Sequence, residues 1–175
     1  MKVAVTGHTS GIGQGLYRYF ADQGHEVHGY SRSNGYTLPG AATKIIAQSL
    51  DCDIFVNNAF TVQGQIDLLR LLWPRWKLDN KTIVIIGSLV TSLPYPMEGH
   101  EEYQQLKQEL DALCNEYRYS NDAICKIISI HPGAVATKVK NQDPAHCMSV
   151  DEVVQIVDYV LHAPVSIKDI TFAKL

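Results

Sequence analysis

The sequence predicts an α/β protein in which helices cover both faces of a mostly parallel β-sheet, and three observations support this. Short runs of sheet-favouring residues recur along the chain, and the run at 83–87 is the clearest. Segments with apolar residues at helical spacing separate these runs. The first run is followed at once by a glycine-rich turn and a helical pattern. Apolar strands that alternate with helices are typical of a parallel sheet covered on both faces.

Each predicted strand is a short run rich in β-branched or aromatic residues and is bounded by turn residues. The first, KVAVT, directly precedes Gly7, and the fifth ends before Pro132-Gly133. A short extended piece at 36–38 ends at Pro39. The predicted strands are 2–6, 26–30, 53–57, 83–87, 123–130 and 169–172.

The predicted helices follow from apolar residues spaced three or four positions apart. Leu106 and Leu110 show this spacing, and Ser149 with Glu152 has the pattern of a capping box. Pro74 lies inside one helical segment and is expected to break or kink it. The predicted helices are 12–20, 41–50, 68–76, 98–117 and 149–161.

Bulk properties favour a single domain over residues 1–175 in the cytoplasm. The length suits one domain, and a net charge of -3 argues against nucleic acid as a partner. No apolar stretch approaches the roughly 20 residues that span a bilayer, and the chain starts with a strand instead of a signal peptide, so no membrane is expected. The four cysteines are scattered, which predicts reduced core thiols, and no histidine or cysteine spacing predicts a metal.

The glycine-rich turn after the first strand predicts an anion site. Gly7, Gly11 and Gly13 allow a sharp turn and a close approach of the backbone to a ligand. The unpaired N–H groups and the dipole of the following helix favour a phosphate. The alternative is that this turn only connects two elements.

Tyr103 and Lys107 lie four residues apart in a polar helical segment, so their side chains share one face. An ammonium beside a phenol favours the phenolate, and such a tyrosine can exchange a proton with a carbonyl or alcohol. Taken alone, the spacing is also that of a solvated helix face.

Five motifs together resemble the short-chain dehydrogenase/reductase family. They occur in the family's order and on the predicted elements that should carry them, between Thr6 and about Thr137. The resemblance implies a Rossmann-like, doubly wound, three-layer αβα fold. The motifs are Thr6-Gly7-x-x-x-Gly11-Ile12-Gly13, Asn57-Asn58-Ala59, Ser88, Tyr103-x-x-x-Lys107 and Pro132-Gly133.

The resemblance implies three catalytic residues. Ser88 would hydrogen-bond the substrate oxygen, Tyr103 would donate the proton, and Lys107 would favour the phenolate and hold the nicotinamide ribose. A serine that satisfies a turn, or a lysine paired with Glu102 or Asp111, is the alternative.

The same resemblance implies a set of cofactor-binding positions. Asn57 to Ala59 would line the cofactor, Pro132-Gly133 would border the nicotinamide, and Val135 or Thr137 would touch its carboxamide. Asn and Pro-Gly also occur in ordinary turns. The full set is Gly7, Thr9, Ser10, Gly11, Ile12, Gly13, Ser31, Arg32, Asn57, Asn58, Ala59, Tyr103, Lys107, Pro132, Gly133, Val135 and Thr137.

The end of the second strand predicts NADP(H) as the cofactor. An acidic residue there would bind the ribose 2′-hydroxyl of NAD, whereas this chain has Ser31 and Arg32. A hydroxyl and a guanidinium suit a 2′-phosphate. A surface arginine without a ligand is the alternative.

The sequence also departs from the family pattern. Phe60 replaces a glycine, and the asparagine that completes the family's proton relay to Lys107 is missing, with Thr61 near its place by rough alignment. Residues 32–38 leave no room for the helix expected after the second strand, which predicts a trimmed sheet. Residues 138–148 are too few for more than a short substrate lid, which predicts an open pocket.

Two function classes follow. The first is an NADP(H)-dependent oxidoreductase acting on a small-molecule carbonyl or the corresponding alcohol. The second is a non-catalytic NADP(H)-binding redox sensor or regulatory protein. The segments 68–76 and 98–117 correspond to dimer-forming helices in similar proteins, which suggests a homodimer or homotetramer. Trp73 and Trp76 are either interface anchors or plain core.

Overall fold

A six-stranded sheet forms the centre of the computed structural model, which describes residues 1–137 and 146–174. The strands are β1 (Lys2–Thr6), β2 (Glu26–Tyr30), β3 (Ile54–Asn57), β4 (Thr82–Ile86), β5 (Lys126–Pro132) and β6 (Asp169–Phe172). Their order across the sheet is β2-β1-β3-β4-β5-β6, and every adjacent pair is parallel. All six predicted strands are therefore confirmed.

The winding of the chain reverses between β1 and β3. The chain goes outward from β1 to β2 and then returns past β1 to form β3, with Val5 opposite Val56. All later strands add on that side. A crevice forms outside the carboxyl ends of the strands at such a reversal, and doubly wound sheets bind their ligands there.

Within the described residues, five α-helices cover the two faces of the sheet. They are α1 (Gly11–Asp22), α2 (Ala42–Ser49), α3 (Gly64–Trp76), α4 (Glu101–Arg118) and α5 (Val150–His162). Buried residues of α1 and α5 form one core with one face of the sheet, and those of α2, α3 and α4 form a second core with the other face. This is the predicted three-layer αβα arrangement.

Alternation along the strands explains why both faces are covered. In β1, Val3 and Val5 face the α1 and α5 side, whereas Ala4 faces the opposite core. In β3, Val56 faces the α1 and α5 side, and Phe55 faces the opposite core. Because both faces of these strands are apolar, a layer of helices on each side removes them from water.

Helix α3 starts earlier than predicted and is not broken at its proline. It begins at Gly64, four residues before the predicted 68–76 segment, and Pro74 does not interrupt it. Pro74 has no N–H to donate to the fourth preceding carbonyl, but the helix ends two residues later, at Trp76, so only its last turn is affected. The helix still closes with a hydrogen bond from Lys77 N to Trp73 O of 2.9 Å.

The segment after β2 forms no strand and no α-helix before α2. A single 3-10 turn spans Arg32–Asn34, and residues 36–38 do not join the sheet. Strand β2 is therefore the edge of the sheet on this side, which is the trimmed arrangement expected from the short segment.

Both tryptophans belong to the core of the chain itself. Trp76 is 1% exposed and meets Phe55 edge-on, with ring centres 6.4 Å apart. Trp73 is 6% exposed and stacks on Tyr117 at 5.1 Å. The plain-core alternative is the one found, because neither ring is free to anchor an interface.

The cysteines are buried, as predicted. Cys52, Cys114 and Cys125 pack in the core beside α2, α3 and α4, and Cys147 is also buried. Burial raises the pKa of the Cys114 thiol to about 12. Over 1–137 and 146–174, no helix has both the length and the apolar character needed to cross a bilayer.

Candidate functional site

Two adjoining cavities open along the carboxyl ends of the strands. The larger, of ≈ 1060 Å³, runs from the glycine turn past the end of β2, and the smaller, of ≈ 460 Å³, lies over the ends of β4 and β5. They share four lining residues, so they form one continuous groove across the reversal between β1 and β3. The shared residues are Ile12, Asn58, Phe60 and Thr137.

The glycine turn forms the floor of the larger cavity. Gly7 and Gly11 adopt positive φ values of 72° and 53°, which L side chains rarely adopt. A Cβ on Gly13 would lie 2.4 Å from both Gly7 O and Asn58 Nδ2, so α1 can begin this close to the turn only without a side chain. Thr9, Ser10, Gly11 and Ile12 line the cavity, whereas Gly13 packs beneath it.

Thr6 joins the two strand ends that flank the crevice. Its Oγ1 accepts hydrogen bonds from Asn58 N at 2.9 Å and Ala59 N at 3.0 Å and donates to Val56 O at 3.2 Å. Asn58 Nδ2 donates to Thr6 O at 2.9 Å. The amide of Asn58 is thereby fixed between the two cavities, which explains why a residue predicted for cofactor binding is held by the opposite strand.

The turn after β2 presents the guanidinium of Arg32 to the larger cavity. Ser31 N donates to Asn34 Oδ1 at 2.8 Å, and Ser31 Oγ lies 2.8 Å from Ser33 Oγ, so this turn is internally bonded. Arg32 lines the cavity, and its guanidinium has no hydrogen bond or ion pair within the part of the chain that the structure describes. No carboxylate is among the described lining residues. This end of the groove therefore suits an anion.

The three predicted catalytic residues line the smaller cavity. Tyr103 and Lys107 lie on successive turns of α4, with Lys107 Nζ 5.7 Å from the centre of the Tyr103 ring. Ser88 follows β4 and caps a 3-10 turn, where its Oγ accepts from Val90 N at 3.4 Å. Sheet and helix thus bring a hydroxyl, a phenol and an ammonium to one cavity.

Lys107 is held by neutral groups. Its Nζ donates to Gln65 Oε1 at 2.7 Å and to Ile86 O at 2.9 Å, and the residue is only 3% exposed. Burial lowers the pKa of the ammonium to about 8, while the negative charge of Asp111 acts in the opposite direction. The alternative pairing with Glu102 or Asp111 is not what holds this ammonium.

Gln65 contacts Lys107 but belongs to none of the sequence motifs. By rough alignment, Thr61 lies near the place of the missing asparagine. Its Oγ1, however, accepts a hydrogen bond from Gly64 N at 3.1 Å at the start of α3. The side chain that contacts Lys107 belongs to Gln65, which is 3% exposed. The helical spacing of Gln65 with Leu68, Leu72 and other buried residues of α3 does indicate that its side chain is buried. A polar residue on such a face needs buried partners.

Phe60 adds an aromatic wall. Its ring meets the Tyr103 ring edge-on, with centres 4.9 Å apart, and Lys107 Nζ lies 5.3 Å from its centre. Phe60 lines both cavities and is 44% exposed. The residue that departs from the glycine of the family pattern therefore lies where the two cavities meet.

The remaining predicted positions divide into two groups. Pro132, Gly133, Val135 and Thr137 line the smaller cavity. Asn57 lines neither cavity, is fully buried, and donates from Nδ2 to Gln65 O at 2.8 Å. The short lid predicted at 138–148 lies mostly outside the described residues. Among those described, no three ligand-type side chains are grouped closely enough to hold a metal ion.

Comparison by sequence gives no relatives: no protein-family model matches the chain, and no curated protein is similar to it at a significant level. Comparison by structure gives many. Serine dehydrogenase from Escherichia coli is 22% identical, with a TM-score of 0.78 over 99% of this chain and 98% of that one. A short-chain dehydrogenase from Burkholderia cenocepacia, in complex with NADP, is 17% identical, with a TM-score of 0.82 over 97% and 86% of the two chains.

An alcohol dehydrogenase from the archaeon Thermococcus sibiricus, complexed with 5-hydroxy-NADP, is also 17% identical, with a TM-score of 0.78 over 99% of this chain and 96% of that one. At such identities a likeness in structure defines the fold. The chain has the short-chain dehydrogenase/reductase fold, which confirms at that level the resemblance drawn from the motifs.

Proposed function

We propose that the protein is an NADP(H)-dependent oxidoreductase that reduces a carbonyl compound or oxidises the corresponding alcohol. The observation that carries this is the meeting of Ser88, Tyr103 and Lys107 in the smaller cavity, which continues into the larger one. A binding module would have no need of a hydroxyl, a phenol and a buried ammonium at one end of its groove. The solved structures that bind NADP and share the fold add to the proposal.

The larger cavity fits a dinucleotide phosphate by its chemistry. The glycine turn and the first turn of α1 offer backbone N–H groups to the pyrophosphate. Arg32 and Ser31 would take the 2′-phosphate, and the described lining has no carboxylate to repel it. These features favour NADP(H) over NAD(H).

The catalytic steps assigned to the chain are proton handling and orientation. NADPH, when bound, supplies a hydride to the carbonyl carbon. Ser88 Oγ donates a hydrogen bond to the substrate oxygen, and Tyr103 gives that oxygen its phenolic proton. Lys107 favours the resulting phenolate by its charge and offers its remaining N–H to the nicotinamide ribose.

The lining of the smaller cavity favours a neutral, largely apolar substrate. Leu89, Val90, Leu93, Met97 and Val135 contribute apolar side chains. Among the described lining residues, Lys107 is the only charged one; two of its three N–H groups are engaged, and the proposed function assigns the third to the nicotinamide ribose. A charged substrate would lose its hydration here without gaining an ion pair. Ketones and aldehydes should therefore be better substrates than keto acids.

The test is NADPH consumption with a panel of ketones, aldehydes, quinones and keto acids. Wild-type protein should turn over at least one neutral carbonyl, and Tyr103→Phe should lose that turnover while still binding NADPH. Tyr159→Phe is a matched control, because Tyr159 is an exposed tyrosine of α5 outside both cavities.

A second candidate is a non-catalytic NADP(H)-binding redox sensor or regulatory protein. The observation that favours it is the contact between Lys107 and Gln65, because an amide oxygen accepts a hydrogen bond but does not pass a proton onward. NADPH binding without Tyr103-dependent turnover of any carbonyl would select this candidate and reject the enzyme.

A further inference from the structure

We propose that Gln65 is the positioning residue of this site, holding the Lys107 ammonium by direct contact so that its remaining N–H is directed into the smaller cavity. The proposal rests on the proposed function for what Lys107 does, but not for how Lys107 is held. It assigns a role to a buried residue that none of the five motifs contains.

The orientation of the Gln65 amide follows from its neighbours. Nε2 donates to Asn57 O at 2.7 Å and to Ile86 O at 3.1 Å, which uses both of its hydrogens. Oε1 then faces Lys107 Nζ at 2.7 Å. A flipped amide would place its oxygen against two carbonyls and its N–H groups against an ammonium. Only one orientation is therefore satisfied.

Asn57 fixes the backbone from which Gln65 projects. Asn57 Nδ2 donates to Gln65 O at 2.8 Å, and Gln65 Nε2 donates back to Asn57 O at 2.7 Å. This reciprocal pair ties the end of β3 to the first turn of α3. With Asn57 fully buried and Gln65 nearly so, the amide is held in one place before any cofactor arrives.

The ammonium has three N–H groups, and the structure accounts for two of them. Gln65 Oε1 and Ile86 O accept these two, and Ile86 O also accepts from Gln65 Nε2, so the three groups form a closed ring. The third N–H has no acceptor among the described residues. Because Lys107 lines the smaller cavity, this N–H is available to a ligand there.

The charge around Lys107 determines what a substitution at Gln65 would do. The contacting groups are neutral, and burial outweighs the charge of Asp111 on the same helix. The phenol of Tyr103, whose ring centre lies 5.7 Å from Nζ, is the other titratable group on this side of α4. Beyond Asp111, His131 Nδ1 lies 3.7 Å from its Oδ2, and Asp169 lies on the far side of His131. A carboxylate at position 65 would place a negative charge in direct contact with the ammonium and raise its pKa.

The experiment follows the Lys107 ε-methylene resonance in protein labelled with ¹³C-lysine, as a function of pH, without cofactor or substrate. Lys107→Arg assigns the resonance. Relative to wild type, the titration midpoint should rise by roughly one unit or more in Gln65→Glu and fall in Gln65→Met, which retains length without an acceptor. Gln108→Glu, exposed on α4, is the charge control and should leave the midpoint unchanged.

Midpoints that stay within about 0.3 units of wild type in folded Gln65→Glu and Gln65→Met would overturn the proposal. If neither variant folds, the Gln65 side-chain amide of the wild type decides. Its ¹H–¹⁵N resonances should shift with the same midpoint as Lys107, and resonances that do not respond would also reject the contact. These outcomes are independent of whether the protein binds NADPH, so failure of the proposed function is recognised separately.

If the proposed function holds, one further readout applies. Compared with wild type, Gln65→Met should bind NADPH more weakly and shift the pH profile of turnover toward lower pH. Gln65→Asn retains the amide, but its shorter side chain does not reach Nζ, so neither NADPH affinity nor the pH profile should return fully to the wild-type value. A structural role alone would reduce the amount of active protein without moving the profile.

Discussion

Phe60 lies edge-on against Tyr103, with ring centres 4.9 Å apart and planes inclined at 73°. Edge-to-face rings attract beyond their area of contact because the positive edge of one meets the negative face of the other. Phe60 is half exposed, so this contact is made at the mouth of the groove and not in the core. The contact restrains the Tyr103 ring where the two cavities meet.

We therefore predict measurable coupling between these two residues. A double-mutant cycle with Phe60→Leu and Tyr103→Leu, followed by urea unfolding, should give a coupling free energy of about 0.5–1.5 kcal/mol. Tyr103→Phe retains the ring and should preserve most of it. Additive effects of the two leucine substitutions would contradict the prediction.

Arg32 should determine the choice between the two dinucleotides. Arg32→Ala should weaken NADPH binding roughly 10- to 100-fold, because a charge-assisted hydrogen bond to phosphate contributes about 1.5–3 kcal/mol. NADH binding should change by less than about 2-fold. Calorimetry with both nucleotides measures this, and Arg18→Ala, on the exposed side of α1, is the control. An equal loss for both nucleotides would reject the 2′-phosphate contact.

Ser88 should affect turnover without affecting the fold. Among the described residues, the one hydrogen bond to its hydroxyl is a long one of 3.4 Å from Val90 N, so Ser88→Ala should cost less than about 1 kcal/mol of unfolding free energy. We expect kcat/KM to fall about 10- to 1000-fold while the NADPH Kd is retained. Ser92→Ala, in the same 3-10 turn, should leave turnover intact. A parallel loss of Kd would indicate a binding role instead.

The lowered pKa of Lys107 should appear in the pH dependence of stability. A base whose pKa is about 8 when folded and near 10.5 when unfolded binds fewer protons in the folded chain between those values. The free energy of unfolding therefore rises with pH across that window. Relative to Lys107→Met, wild type should gain at most about 3 kcal/mol between pH 8 and 10.5 in urea unfolding. A difference that is flat or falls with pH contradicts the lowered value.

Helices and strands with a clear local residue pattern could be predicted from the sequence. The strand at 83–87 is apolar on both faces, and Ser149 with Glu152 forms the expected capping box, so both were predictable from neighbours in the chain. The sequence predicts too late a start for helix α3, because Gly64 and Gln65 are not apolar residues at helical spacing. Their burial depends on β3 and β4.

Only those residues of the candidate site that belong to a motif were predictable from the sequence. Ser88, Tyr103 and Lys107 each belong to a motif, and the order of strands and helices brings them to one cavity. The contacts of Gln65 with Lys107 and of Phe60 with Tyr103 could not be predicted, because each joins residues about forty positions apart in the chain. No pattern within one segment encodes such a contact. Asn57 is the opposite case. Its motif predicts a contact with the cofactor, whereas its side chain donates a hydrogen bond to the backbone of Gln65.

The position of β2 at the edge of the sheet has a consequence for protein engineering. This strand contributes Ser31 and Arg32 to one end of the groove, whereas the smaller cavity is built from the ends of β4 and β5 and from α4. In the proposed function, nucleotide preference and proton chemistry therefore belong to separate parts of the groove, joined through β1 and β3. Residues 31–34 could therefore be exchanged for those of an NAD-preferring protein without rebuilding the smaller cavity.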